Sequence, residues 1–253
     1  MYLWKYWRES RITFAVGMAL VGLMLWAVLN IHMGANPYNG PNTPQLNDNQ
    51  IYLLLAAPLT LPFAFFALKF GSFGVGRDLG EGSGSFLFSR PRSRAFFVWN
   101  DWGCGMAQLL LLVLAANAVL ALAAYRIAGV GGPISVGGVP VPMASIFALH
   151  CAAGMLLIGL LLGLTYFSSV LAKNRGVLLA LGVLLAYFMV KAVVEYKWRT
   201  VKLPDLSLTE FGMTPEGPPG FAKNLGLEIA IRAAVALAFP FAAQLLLQQR
   251  DVD

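Results

Sequence analysis

Long uninterrupted apolar runs, separated by short polar segments, dominate the pattern along this chain. The first run extends from Ile12 to Ile31 and contains no charged residue. At a helical rise of about 1.5 Å per residue it would cross roughly 30 Å, the thickness of a bilayer's hydrocarbon core. A cleaved secretory signal has a shorter apolar core of about 7 to 15 residues, so we expect the run to be retained. The pattern predicts a membrane-spanning α-helix.

Further runs of the same kind follow, and none has the alternation of a strand or the heptads of a coiled coil. They cover residues 51–68, 106–125, 143–171, 177–194 and 227–247. Together with residues 12–31 they predict six spans in a single all-α transmembrane domain over residues 1–253. Pro58, Pro62 and Pro240 lie inside runs and are expected to kink their helices, because proline removes a backbone donor.

Composition supports a membrane protein. Hydrophobic residues make up 58% of the chain and charged residues 12%, whereas soluble domains carry about 25% charged residues. The net charge of +6 could indicate nucleic-acid binding, but the basic residues do not form one patch interleaved with aromatics. We therefore expect no nucleic-acid partner. Cys104 and Cys151 lack the CxxC spacing of a zinc or redox site.

The distribution of Lys and Arg predicts the orientation, because loops rich in these residues stay in the cytoplasm. Eleven fall on one predicted side: Lys5, Arg8, Arg11, Lys69, Arg77, Arg90, Arg92, Arg94, Lys173, Arg175 and Arg250. Five fall on the other: Arg126, Lys197, Arg199, Lys202 and Lys223. Both termini are thus expected inside the cell, with a cytoplasmic loop at 71–100 and an external loop at 197–222. A multi-pass protein of the inner membrane is predicted.

The first residues combine aromatic and basic side chains in front of the first span. Trp4 and Trp7 are three residues apart, as are Lys5 and Arg8. Tryptophan favours the headgroup layer, and basic side chains can reach anionic lipid. The segment predicts an N-terminal interfacial helix, with a simple anchor flanking the span as the alternative.

The cytoplasmic loop contains an apolar cluster beside a basic run. The cluster is Phe86, Leu87 and Phe88, and the run is Arg90, Arg92 and Arg94, interrupted by Pro91. Apolar side chains rimmed by charge are typical of interfaces, so we expect a soluble partner to dock here. The alternative is a basic anchor whose aromatics dip into the lipid interface.

This loop resembles the loop between the second and third spans of type-2 ABC exporter permeases. The likeness rests on an acidic-Gly-small start and a Leu-x-Ser-x-Pro-x-Ser-Arg pattern, matched here by Glu81, Gly82, Ser83, Leu87, Ser89, Pro91, Ser93 and Arg94. The family often has an apolar residue where Arg92 stands. The resemblance implies that Phe86 to Arg94 contacts a separate ATP-binding subunit, and that a second permease copy or homologue completes an exporter.

Motifs for ATP hydrolysis or other catalysis are missing from the sequence. A Walker A loop, G-x-x-x-x-G-K-[ST], does not occur, and neither does HExxH or G-x-S-x-G. The glycines of Gly74 to Gly80 are interpreted as giving the loop flexibility. We expect no enzyme activity and no cofactor in this chain, with ATP and magnesium bound by the partner subunit.

Ionisable residues inside the spans are few, and each is a candidate functional residue because a charge in the membrane is energetically unfavourable. Lys191 and Glu195 are four residues apart, as are Glu228 and Arg232, and both pairs fall near the predicted outer end. One hypothesis is a four-charge network that closes the outer end of a transport pathway. The alternative is a local structural contact. His150 is interpreted as a packed, hydrogen-bonded side chain.

Two other classes of function are compatible with the sequence. One is an ATP-independent secondary carrier or channel, and the other is a membrane-embedded enzyme or assembly factor. A carrier is expected to have ion sites at broken helices near the midplane, and an enzyme a polar catalytic cluster at one interface. The transported substrate is not encoded in any motif of the chain.

Overall fold

A computed structural model describes residues 2–30, 60–82, 93–128, 134–136, 139–197 and 225–249. The helices are α1 (Tyr2–Asn30), α2 (Thr60–Gly71), α3 (Val75–Gly80), α4 (Arg94–Ala128), α5 (Met143–Ala172), α6 (Gly176–Lys197) and α7 (Leu225–Gln249), with a 3-10 turn at Lys173–Arg175 between α5 and α6. A short hairpin, β1 (Ile134–Val136) and β2 (Val139–Val141), precedes α5. The predicted helical character is confirmed.

Five of the described helices are long and apolar enough to cross a membrane, as in a multi-pass membrane protein. The qualifying segments are Trp4–Asn30, Arg94–Ala123, Met155–Ala172, Gly176–Lys197 and Ala230–Gln249. The second predicted span, 51–68, is represented by α2, which has 12 residues and is too short by itself. Residues 51–59 lie outside the described part, so the count of six stays a prediction.

Helix α5 lies at the centre of the bundle and packs against α2, α3, α4, α6 and α7. The larger apolar core joins α2, α4 and α5 through residues such as Phe66, Leu112 and Leu162. A smaller core joins α3, α4, α5 and α7, and includes Val75 and Leu247. By contrast, α6 leaves large side chains exposed, with Leu178 70% exposed. Such exposure in an apolar helix is typical of a lipid-facing surface.

Two helices begin earlier than the apolar runs predict. Helix α1 continues without a break from Tyr2, so the expected interfacial segment is the first part of α1 and not a separate helix. It continues because Tyr6 and Ser10 are buried against the bundle. Helix α4 begins at Arg94 instead of residue 106. At this start, the Ser93 hydroxyl accepts a hydrogen bond from the Phe96 amide at 3.2 Å. Such N-caps satisfy a free donor of the first turn.

The hairpin was not expected in an all-helical chain. Its strands pair antiparallel, with Ile134 opposite Val141 and Val136 opposite Val139. Four β-branched residues occupy these pairs, which favours strand structure.

Candidate functional site

Polar contacts concentrate at the end of the bundle where α1 begins and α7 ends. We call this region the polar end, and define it by Lys5, Asp78, Arg94, Asp101 and Tyr166. These residues come from α1, α3, α4 and α5. Lys5, Arg94 and the residues flanking 83–92 belong to the side predicted to be cytoplasmic.

An ion pair joins α1 to α3. The Lys5 ammonium donates a hydrogen bond to Oδ1 of Asp78, a residue only 2% exposed. The same ammonium lies 3.8 Å from Oε1 of Glu9. A desolvated carboxylate is stable only when it is paired, so the contact fixes α3 against the start of α1. Sequence reasoning assigned Lys5 to the lipid headgroups and did not single out Asp78.

A second buried carboxylate holds the start of α3. Asp101, which is 1% exposed, accepts a hydrogen bond from the Val75 amide at 2.9 Å. The Tyr166 hydroxyl lies 3.5 Å from the same carboxylate oxygen, Oδ2. Asp101 therefore satisfies a first-turn amide of α3, which has no partner within its own helix.

Close backbone approaches require glycine around α3. Gly74 has φ of +76°, and a Cβ there would lie 2.1 Å from Oδ2 of Asp101. A Cβ on Gly76 would lie 2.5 Å from the Cβ of Ser169, and one on Gly176 would lie 2.3 Å from the Ser169 Cα. The interpretation of these loop glycines as flexible is wrong for Gly74 and Gly76, because their role is tight packing.

At the end of the segment Glu81 to Arg94, which we call the predicted coupling loop, α4 is anchored to α7. The Arg94 guanidinium donates a hydrogen bond to the Leu247 carbonyl. The indole Nε1 of Trp99 donates to Oε1 of Gln244 at 2.7 Å. Carbonyls in the last turn of a helix lack partners within that helix, so Arg94 caps α7. The sequence predicted Arg94 as part of the loop but not this contact.

Most of the predicted coupling loop lies outside the described residues. The residues concerned are Phe86, Leu87, Phe88, Ser89, Arg90, Pro91 and Arg92. Four others are described: Glu81 and Gly82 precede the gap, and Ser93 and Arg94 follow it. Glu81 accepts a hydrogen bond from Nε of Arg77 at 2.6 Å. This bond raises the pKa of Arg77 above its ordinary value.

The four residues predicted for the interfacial helix do not share one face. Trp4, Trp7 and Arg8 are exposed on α1, whereas Lys5 turns toward Asp78. On a helical wheel Trp7 and Arg8 follow Trp4 by three and four residues, which puts these three on one side. Lys5 lies at the edge of that side, about 60° beyond Arg8 at about 100° per residue, and can therefore reach Asp78.

The predicted outer charge network is described only in part. Nζ of Lys191 lies 3.7 Å from Oε1 of Glu195 within α6. Arg232 is half-buried on α7, while the side chains of Glu228 and His150 lie outside the described part. Because the Glu228 side chain is not described, the connection between the two pairs stays a prediction.

Within the described ranges, no group of three or more His, Cys, Asp or Glu side chains is arranged to hold a metal ion. Comparison with known proteins adds no assignment: no family model matches the chain, and no curated protein or solved structure matches it. The contacts of the polar end are therefore the features on which a functional argument can be built.

Proposed function

We propose that this chain is the membrane-spanning permease subunit of an ATP-driven exporter in the cell inner membrane. It would work with separate ATP-binding subunits and with a second permease copy or homologue. The loop pattern from Glu81 to Arg94 supports the family, and the five spanning helices agree with a transport subunit. ATP and magnesium would be bound by the partner.

The observation that carries this proposal is the anchoring of both ends of segment 83–92 to different spanning helices. Before the segment, α3 is joined to α1 through Asp78 and Lys5. After it, α4 is joined to α7 through Arg94 and the Leu247 carbonyl. A displacement of the segment by a docked subunit would therefore move α1 and α7 together.

Transmission of such a displacement requires stiff connections, and the packing around α3 supplies them. Val75 and Gly76 are buried, and the backbone of α3 approaches α5 too closely for any side chain at Gly76. Close-packed interiors transmit small shifts because they hold few voids. At the opposite end, the movement would reach Lys191 and Glu195, which we propose as part of an outer gate with Glu228 and Arg232.

Co-purification tests the partnership directly. The tagged chain, extracted in mild detergent from its native cell, is expected to retain an ATP-binding protein in stoichiometric amount. A cysteine at position 90 should cross-link to that protein, while a cysteine at the exposed Ser145 should not. If the folded chain is recovered without any ATP-binding protein, the proposal of an exporter subunit is wrong.

Variants of the ion pair test the coupling route. Lys5→Met removes the contact between α1 and α3 while leaving segment 83–92 intact, and Lys173→Met is the control at an exposed lysine on the same side. A cysteine introduced at Ala27 reports movement of α1 through its rate of labelling. We expect ATP with vanadate to change this labelling rate both in the otherwise unchanged complex and in the Lys173→Met control. The change should be lost in Lys5→Met although the subunits still co-purify. An unchanged response in Lys5→Met would contradict this route.

A further inference from the structure

The outward face of the first turns of α1 carries two indoles and two guanidinium groups. We call it the basic face and define it by Trp4, Trp7, Arg8 and Arg11. Trp4 is 62% exposed and Trp7 39% exposed, and both arginines are exposed. Spacings of three and four residues bring these side chains onto one side of a helix.

The same side of α1 continues as an apolar stripe. Met18 follows Arg11 by two turns, Trp26 follows Arg8 by five, and both are exposed, Trp26 to 65%. Gly22 lies between them and, apart from its chain neighbours and the backbone of its own helix, has no atom within 4 Å of its Cβ position. In a helix long enough to cross a membrane, this stripe faces lipid.

The length of α1 fixes the level of the basic face. From Arg11 to Leu29 the helix rises about 27 Å, close to the hydrocarbon thickness. Arg8 and Arg11 therefore fall at the boundary where acyl chains give way to headgroups. Trp7 precedes Arg11 by about one turn and Trp4 precedes it by about two, so both indoles lie on the outer side of Arg11, in the layer that indoles favour.

The charge of the basic face is not neutralised by its own helix. The one acidic residue nearby on α1, Glu9, is turned to the opposite side, where Lys5 contacts both it and Asp78. Among the described residues, Arg8 and Arg11 form no ion pair. The face therefore presents two adjacent guanidinium forks, whose donors match the oxygens of a phosphate.

We propose that the basic face binds an anionic phospholipid of the adjoining leaflet, with the lipid phosphate between Arg8 and Arg11. Its acyl chains would lie along the stripe at Met18 and Gly22, and the indoles of Trp4 and Trp7 would border the headgroup. This proposal does not depend on the exporter function. The occupant is a lipid because the basic face and the apolar stripe are continuous on one side of one helix.

Fluorescence quenching in vesicles tests the proposal with the full chain. The protein is reconstituted in phosphatidylcholine containing an equal fraction of either dibrominated phosphatidylglycerol or dibrominated phosphatidylcholine. Contact with bromine quenches tryptophan fluorescence. The quenching that arises at the basic face is the quenching in the unchanged protein minus the quenching in the Trp4→Phe/Trp7→Phe variant. Arg8→Gln/Arg11→Gln is compared with Lys173→Gln/Arg175→Gln, which removes two exposed charges on the same side of the bundle.

We expect stronger quenching by the anionic lipid in the unchanged protein and in the Lys173/Arg175 control. The relative association constant for phosphatidylglycerol should fall about fivefold for each arginine replaced in the basic face. Equal quenching by both lipids, or equal losses in the two double variants, would overturn the proposal. Absence of quenching by either lipid would also overturn it, because a second copy or another protein would then cover the face. Size-exclusion elution of the variants checks that they fold.

Discussion

At the scale of single residues, the contact between Gly74 and Asp101 controls how the chain enters α3. Gly74 has a positive φ, and Asp101 accepts the amide of Val75 directly beside it. Gly82 also has a positive φ, of +77°, but apart from its two chain neighbours no atom lies within 4 Å of its Cβ position. The two glycines thus share a backbone requirement and differ in the space available.

Replacing each glycine by alanine separates these two effects. Gly82→Ala is expected to lower the free energy of unfolding by about 1–2 kcal/mol, the penalty of a Cβ in the left-handed region. Gly74→Ala should cost about 1–3 kcal/mol more, because the Cβ also collides with Asp101. The difference in stability is measured by thermal unfolding in detergent, with the reactivity of the cysteines as the signal of unfolding. Equal shifts of the two variants would contradict the close contact.

At the scale of elements, α6 is in tight contact at its start and open further along. Gly176 lies against the backbone of Ser169 on α5, and the turn Lys173–Arg175 joins the two helices. Gly182, about two turns along α6, has no atom from another part of the fold within 4 Å of its Cβ position. One helix therefore contains a glycine that packing requires and another that it does not.

Alanine substitutions in α6 test this packing. Gly176→Ala should be destabilising, by about 1–3 kcal/mol, because the new methyl group forces α6 away from α5. Gly182→Ala should be neutral or stabilising by up to about 1 kcal/mol, since alanine is the better helix former. The measurement is the midpoint of thermal unfolding in detergent. If Gly176→Ala matched Gly182→Ala, the start of α6 would not be packed against Ser169.

At the scale of the whole molecule, the direction in which α5 crosses the membrane decides which face the polar end presents. Ser145 is exposed in the first turn of α5, and Arg175 is exposed just beyond its last turn. The helix has 30 residues, about 45 Å at 1.5 Å each. Its two ends are thus far enough apart to lie on opposite sides of a bilayer.

Cysteine labelling in sealed vesicles tests the orientation. In a background with Cys104 and Cys151 replaced by serine, Arg175→Cys should react with an impermeant maleimide only when the cytoplasmic face is accessible. Ser145→Cys should react only from the other side. The reverse pattern would put the polar end outside and would remove the basis for a cytoplasmic ATP-binding partner.

The long helices could be predicted from the sequence because their signal is local. An apolar run of sufficient length must be helical in lipid, where every backbone group needs a partner within the chain. The polar extensions could not be predicted in this way. Residues 94–105 contain Arg94, Asn100 and Asp101, which lower the hydropathy, yet they are helical because Ser93 caps them and the bundle pairs the side chains of Arg94 and Asp101.

Sequence patterns predicted only some of the residues at the polar end and in the loop beside it. Glu81, Gly82, Ser93 and Arg94 belong to the loop pattern, whereas Asp78, Asp101 and Tyr166 were missed. A lone Asp beside an apolar run is a usable signal, since a buried carboxylate is costly without a partner. It indicates that a partner exists but does not identify it.

The sequence by itself determined the membrane class, most of the helices and their order, because these follow from the hydropathy of neighbouring residues. Only the tertiary structure decided which polar groups meet. Lys5 and Asp78 are separated by 73 positions, and Arg94 and Leu247 by 153. Partners so far apart are chosen by how the helices pack, and that packing brings the start of α1 and the end of α7 to the same end of the bundle.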